Sequence, residues 1–329
     1  MLNKLRTMLA ERFGSQYPTV VLSAHQATGQ QPMQLNEVDE HTKYYLSLKH
    51  FEDVAKGMWT GALVQVGSLI GLLVAGMAFI DGEFAWGIKG LAIAALFFLI
   101  PFTWEVLHPL PLPTLLNRRT RELYFELNGT LYHTPWDQVE AVTYEYQMVH
   151  QNTGAMRHAP LEVLMHCYGK PDQTILVNLV IPVGRSIEIN LHFWEYLRAY
   201  MNNGPWFDPD GHHSESNEFV KSKLADQLQP SGYLAHSIQT IAEQKKAAGG
   251  RNYLTGIDTA ILVGEMFFYP MHRTQQFTYA MAKRRSRNQW PAEVAERLRP
   301  DGPSTRLIDL EIDRGLITPA VSAEPTRSL

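Results

Sequence analysis

The chain has 329 residues, a formal net charge of −4 at neutral pH, and one cysteine, Cys167. The acidic balance removes any global reason to expect a nucleic-acid partner. The lone thiol, set in the apolar stretch LEVLMHCYG, excludes an intrachain disulfide and reads as a buried, inert side chain.

Residues 1–57 form the first segment. MLNKLRTMLAERFG places Leu2, Leu5, Met8 and Leu9 at helical spacing, and SAHQATGQQPMQLNEVDEH reads as polar loop. Two long apolar runs follow and define a second segment, 58–107. Met58–Ile80 carries no charge, and at about 1.5 Å per residue it matches a hydrocarbon core about 30 Å thick. Asp81, Gly82 and Glu83 separate it from Phe84–Leu107, whose charges Lys89 and Glu105 lie near its ends, within reach of an interface. Trp59, Trp86 and Trp104 also fall near the ends, where amphipathic rings prefer to sit. Lys43, Lys49 and Lys56 precede the first run, and Arg118, Arg119 and Arg121 follow the second. The short turn between them has no basic residue. The positive-inside rule therefore predicts a two-pass hairpin with both termini on the cytoplasmic side.

A third segment, 108–205, opens with HPLPLPTLLN, whose alternate prolines forbid helix and favour an extended strut. Leu123, Phe125 and Leu127 alternate with polar residues up to Asn128-Gly129, which supplies the positive-φ pair of a two-residue hairpin turn. VEAVTYEYQMV, PLEVLMHCYG and QTILVNLVIPVG continue the strands. SIEINLHFWEYLRAYMNNGP then reads as an amphipathic helix ending at Asn-Gly-Pro. The expectation is a meander of about five strands capped by one helix. Trp194 and Tyr200 belong to the cap, Trp136 to the meander, and Gly204 and Pro205 to the helix stop. Ser186 is expected to cap the helix start.

Residues 206–300 read as a helical C-terminal region and 301–329 as a tail of little periodicity. Helical patterns cover Phe219–Leu228 and Gly232–Ala248. The apolar run Asp258–Tyr269 is too short to span a bilayer and predicts a buried or interfacial helix, with Pro270 restarting another. A further helix begins at Pro291, just after Trp290. Lys283, Arg284, Arg285 and Arg287 form a second basic cluster, suited to an anionic leaflet or an acidic partner. Asp208, Asp210, His212, His213 and Glu215 carry metal-ligating groups. Their spacing matches neither an EF-hand nor a zinc signature, so the stretch reads as a solvated loop. No H-E-x-x-H, G-x-S-x-G, P-loop or G-x-G-x-x-G pattern occurs, and the sequence gives no argument for catalysis, a cofactor or a resident metal.

The apolar hairpin followed by LNRRTRELYFELNGTLYHTPWDQVEA, together with WEYLRAYMNNGP and RNQWPAEVAERLRPD, resembles a family of uncharacterised proteobacterial membrane proteins classed as a domain of unknown function. Members are often encoded beside type VI secretion effectors. The resemblance implies an inner-membrane immunity or effector-handling protein that binds a secreted effector, and it implies no catalytic residues. The strand–helix order is also similar to bacterial pleckstrin-homology-like (PH-like) domains, which implies an α+β membrane protein with a PH-like β-domain. That similarity adds a second expectation, a module that binds anionic lipid or peptide.

Overall fold

The computed structural model describes residues 19–150, 154–208, 210–212, 233–247, 249, 256–286 and 289–317. The expected helices at 1–14 and Phe219–Leu228 lie outside these residues. The fold is mixed α+β, and the chain divides into two compact units. One draws on Met1–Phe51, Pro111–Val220 and Gln289–Leu329, the other on Glu52–Leu110 and Lys221–Asn288.

The first unit is built on a nine-stranded antiparallel sheet. Its strands are β1 (Thr19–Ser23), β2 (Val38–His41), β3 (Tyr45–Leu48), β4 (Thr114–Asn117), β5 (Glu122–Leu127), β6 (Thr130–Pro135), β7 (Glu140–Tyr144), β10 (Leu161–Cys167) and β11 (Lys170–Asn178). A separate hairpin pairs β8 (Tyr146–His150) with β9 (Gly154–His158). β2, β3, β4, β5 and β6 lie side by side in chain order. β6 then meets the second half of β10, at His133↔His166, and β7 meets its first half, with β1 beyond β7. β11 covers the other edge of β10.

The Asn128-Gly129 turn forms as the sequence predicts, with φ of 51° and 79°, and it sets the β5–β6 register at Leu127↔Thr130. Four strands precede the expected meander, three of them within 1–57. β2 lies inside the stretch read as loop, and β4 ends the proline-rich strut. β3 and β4 pair from Tyr45↔Asn117 to Leu48↔Thr114, so the two ends of the apolar hairpin leave from neighbouring strands.

Helix α5 (Ile187–Asn203) caps one face of the sheet. Its start is held by Ser186, whose side chain accepts from the Ile189 N–H. Phe193, Trp194, Tyr196, Leu197 and Tyr200 are buried there against Leu46, Leu116, Leu123, Leu161 and Val163. The opposite face is covered too. Leu115, Tyr124 and Leu131 pack against Val294 of α8 (Ala292–Arg297) and Leu307 of α9 (Leu307–Asp313). Because both faces are covered, β4 and β10 are buried at every position, which removes the polar alternation that exposes a strand in sequence.

The second unit is helical. It contains α1 (Phe51–Ala55), α2 (Met58–Leu63) continued through a π-turn at Val64–Ser68 into α3 (Leu69–Ile80), then α4 (Phe84–Leu107), α6 (Tyr233–Ala247) and α7 (Gly256–Arg285). The runs Phe51–Ile80 and Phe84–Leu107 are long and apolar enough to cross a membrane. Their burial is inverted relative to a soluble helix. Gly71, Ala75, Gly90 and Ala94 are inside, while Leu73, Met77, Ile80, Ile88, Leu96 and Ile100 are exposed. The small residues let α3 and α4 approach closely: a Cβ on Gly90 would stand 2.9 Å from the Ala75 nitrogen and 2.9 Å from the Gly71 oxygen. The Ser68 hydroxyl donates to the Ala94 carbonyl at 2.9 Å.

α7 corrects one expectation. Pro270 lies inside a continuous helix instead of starting a new one. A proline removes one ladder bond. Packing carries the helix through: Phe277 stacks on Phe102 at 5.7 Å, and the Gln65 amide donates to the Phe267 carbonyl at 2.8 Å, one turn before the proline.

Candidate functional site

The most chemically distinctive group of side chains is buried on the α9 side of the sheet. The β5–β6 register sets Tyr124 opposite His133, and the β6–β10 register sets His133 opposite His166. Directly opposed residues share a face, so the two imidazoles lie together, ring centres 4.2 Å apart. α9 brings Glu311 onto them. Its Oε2 accepts from His133 Nε2 at 3.0 Å and from His166 Nε2 at 2.9 Å, and its Oε1 accepts from the Gly169 N–H at 2.6 Å.

Glu122, at the start of β5, backs the cluster. It accepts from the Leu307 and Ile308 N–H groups at 2.8 and 3.0 Å and from the Tyr124 hydroxyl at 2.9 Å. Its Oε1 lies 3.4 Å from His133 Nδ1, yet that nitrogen completes no hydrogen bond among the described residues. The side chains of Glu122, His133 and Glu311 have no exposed surface, and that of His166 is 3 % exposed.

Burial disfavours the charged form of each group, and the cluster answers it unequally. His133 is pulled down by burial, but its two carboxylate neighbours outweigh that and hold it above the usual histidine range. His166 is lowered by burial and by the charge on His133. Burial raises Glu311, but hydrogen bonds from His133, Gly169 and His166 bring it down to about 2.

Sequence reasoning missed all four residues. The available signal was a histidine inside each of two otherwise apolar strands, LYHTP and LMHCYG, and the apolar spacing Leu307, Ile308, Leu310 in a segment read as tail.

Of the basic residues after the second apolar run, expected at a leaflet or partner, Arg119 and Arg121 bond to groups of the chain itself. Arg119 donates to the carbonyls of Arg299, Pro300 and Gly302. Arg121 forks onto Asp137, with Nη2–Oδ1 at 2.6 Å, and its Nη1 donates to the Met201 carbonyl at the end of α5. Arg118 is half-buried; its backbone N–H donates to the Tyr44 carbonyl, and its Nε completes no hydrogen bond among the described residues. Lys283, Arg284 and Arg285 form the exposed last turn of α7, where cations suit the helix dipole. Arg287 lies outside the described residues.

The Arg121–Asp137 pair carries a pH signature. The hydrogen bond from Arg121 holds the Asp137 carboxyl below its ordinary value of 3.8. A depressed carboxyl contributes stability that is present above the unfolded value and lost as pH falls through the folded one. Asp137→Asn should therefore flatten the acid limb of the unfolding midpoint below about pH 4, while the midpoint falls only modestly at neutral pH. An unchanged acid limb would show that the pair contributes nothing.

The motif residues are structural. Trp136 is buried, donates to Asn202 Oδ1 at 2.8 Å and lies against Trp194 at 5.4 Å. Trp194 Nε1 donates to the Ser23 carbonyl, and the Tyr200 hydroxyl to the Thr42 carbonyl at 2.9 Å. Gly204 ends α5 at φ 120°, and the Pro205 carbonyl bonds the His41 ring. Trp290 packs on the α9-side cluster, and Pro291 is the N-cap of α8. Cys167 is buried. In the acidic loop, Asp208 Oδ1 accepts from the backbone of Asp210 and His212, a self-contained turn, and Asp210 and His212 are exposed. His213 and Glu215 lie outside the described residues.

Glu105 differs from its expected interfacial position. It is buried within the helical unit, and its carboxylate accepts from the Gly57 and Thr60 N–H groups, both at 3.0 Å, and from the Thr60 hydroxyl. It thus supplies, from α4, the N-terminal cap that α2 lacks. Glu105→Ala should lower stability by about 2 kcal/mol, read as the thermal midpoint of the detergent-solubilised chain. Glu105→Gln should recover part of the loss, because its amide oxygen can still accept.

A model of a family of unknown function, DUF6708, matches residues 91–300, more than half of the chain, and the chain belongs to that family. No curated protein and no solved structure matches it.

Proposed function

We propose that this DUF6708 member is a membrane-anchored, non-catalytic binding protein. In this reading it sits at the bacterial inner membrane as the immunity or accessory partner of a type VI secretion effector. The observation that carries the anchoring is the inverted burial of α3 and α4, small residues inward and large apolar side chains outward, the pattern of helices packed in lipid. The positive flanks favour two passes with both termini cytoplasmic.

Tethering raises the local concentration of a binder where its target arrives. A set of exposed apolar side chains supports the binding role. On the β8–β9 hairpin, Met148, Val149 and Met156 are exposed, Val149 by 82 %, and isolated strand pairs with apolar faces are suited to augmentation by a partner strand. Co-expression with each neighbouring toxin gene tests the proposal. Protection together with co-purification of one toxin is the expected result. Neither protection nor co-purification with any of them overturns it.

A second reading rests on a different observation, the exposed basic turn Lys283–Arg285. Here the sheet and its capping helix form a regulatory PH-like module at the membrane that binds anionic lipid or peptide. The full chain in detergent should then bind short-chain phosphatidylglycerol in a salt-sensitive way. Reversal of Lys283, Arg284, Arg285 and Arg287 to Glu should abolish that binding, and unchanged binding removes this reading.

A further inference from the structure

We infer that His133, His166 and Glu311 bind one zinc-class divalent cation, with Glu122 orienting His133 from behind. The donor set is two imidazoles and a carboxylate, which suits zinc and its neighbours better than calcium or magnesium. The three donor atoms converge. His133 Nε2 and His166 Nε2 are 3.0 and 2.9 Å from the same oxygen, Glu311 Oε2, and all three lie within 4.8 Å of one another. Around a tetrahedral ion with bonds of about 2.0–2.1 Å, neighbouring donors stand about 3.3 Å apart. An opening of a few tenths of an ångström would admit it, leaving the fourth position for a water molecule.

Two further observations separate an ion from a simple hydrogen-bond cluster. The first is His133 Nδ1, fully buried and without a completed hydrogen bond, 3.4 Å from Glu122 Oε1. If both imidazoles donate their Nε2 protons to Glu311, a neutral His133 turns its Nδ1 lone pair onto a carboxylate oxygen. If Nε2 instead faces a cation, the proton resides on Nδ1 and points at Glu122. That is the usual support of a metal-bound histidine by a carboxylate behind it.

The second observation is charge. The cluster has two carboxylates and two imidazoles with at most 3 % exposure. Two buried carboxylates face two imidazoles, and one divalent ion held by the imidazoles would balance both carboxylates. Buried charges are expected to be paired or to coordinate metal. The ion would join α9 to β6 and β10, tying residues beyond the family match to strands within it. Glu122, through Leu307 and Ile308, already fixes the start of the same helix.

The test uses the full chain purified in detergent. Elemental analysis should find about one equivalent of a zinc-class metal. Exhaustive treatment with a strong chelator should remove it, and added Co²⁺ should restore one equivalent with visible bands of a four-coordinate site. Both readings on the wild-type chain are independent of whether any variant folds. Glu311→Gln and His166→Gln should each lower metal content at least tenfold. Glu122→Gln should weaken affinity by about 10–100-fold without abolishing it. Asp208→Asn, in the exposed acidic loop, should change nothing. Absence of metal in the folded wild-type chain, with no uptake of Zn²⁺ or Co²⁺ on dialysis, would overturn the inference. So would metal that survives the combined Glu311→Gln and His166→Gln change, or that is lost in Asp208→Asn.

Discussion

Gly90→Leu should disrupt the α3–α4 pair, lowering stability by about 3 kcal/mol, the upper end of what overpacking costs. The obstacle is backbone: the first side-chain carbon would already stand 2.9 Å from the Ala75 nitrogen and the Gly71 oxygen. A flexible side chain could turn away, but two packed helices must separate. Separation would also lengthen the 2.9 Å bond from Ser68 to the Ala94 carbonyl. Gly71→Leu should behave alike, since its added carbon meets Ala94 and the Gly90 oxygen at 3.0 Å. The matched control is Gly76→Leu on the same helix, where no atom lies within 4 Å. The thermal midpoint of the detergent-solubilised chain should drop by roughly 5–10 °C for the first two and stay close to wild type for the third. Equal effects at all three positions would show that close approach of the helices does not set the outcome.

Glu122→Ala should be the most damaging single change in the sheet unit, at about 3–5 kcal/mol. The carboxylate is buried and accepts from the Leu307 and Ile308 N–H groups and the Tyr124 hydroxyl together. Its removal leaves the Leu307 and Ile308 N–H groups buried without that acceptor, and each such group costs about 1–3 kcal/mol. Burial and the Glu122 charge also push the Tyr124 phenol far above its ordinary range, so that hydroxyl stays protonated and, without Glu122, keeps Thr120 Oγ1 at 2.7 Å as its partner. Limited proteolysis should show first cleavage near α9, because Glu122 holds the start of that helix. Glu122→Gln should be milder, since its oxygen can still accept from one or two of the N–H groups. A wild-type melting curve and proteolysis pattern for Glu122→Ala would contradict this account of how α9 docks.

The local rules served well where a residue's neighbours in sequence decide its conformation. Asn128-Gly129 made the turn it predicted, and Ser186 capped α5 because a hydroxyl three residues before an N–H is a local device. The two apolar runs were visible because lipid-length hydrophobicity is a property of composition. Pairing over long separations was not visible. β2 is four residues of VDEH, which carries no strand signal and is held by β3. β4 lost its alternation because helices cover both faces of the sheet, whereas β10, equally buried, was still legible as an apolar run.

The buried cluster was hidden for the same reason. His133, His166 and Glu311 are separated by up to 178 positions, and only the registers of β5, β6 and β10 and the docking of α9 bring them together. The arginines carry contacts that composition does not show. A basic triplet beside an apolar run is a topology signal in composition, but Arg119 and Arg121 are bound by carbonyls and a carboxylate of the chain itself. Exposed basic charge lies instead at the end of α7, on Lys283, Arg284 and Arg285.

The central claim is that the helical pair fixes this chain in a bilayer, and topology mapping on native membranes addresses it most directly. The chain should stay in the pellet through alkaline carbonate and be released by detergent. Reporter tags at both termini should be accessible only from the cytoplasmic side, and a cysteine placed at Gly82 should be labelled from the other side. Release of the chain by carbonate alone, or a terminal tag labelled from the periplasm, would contradict the account.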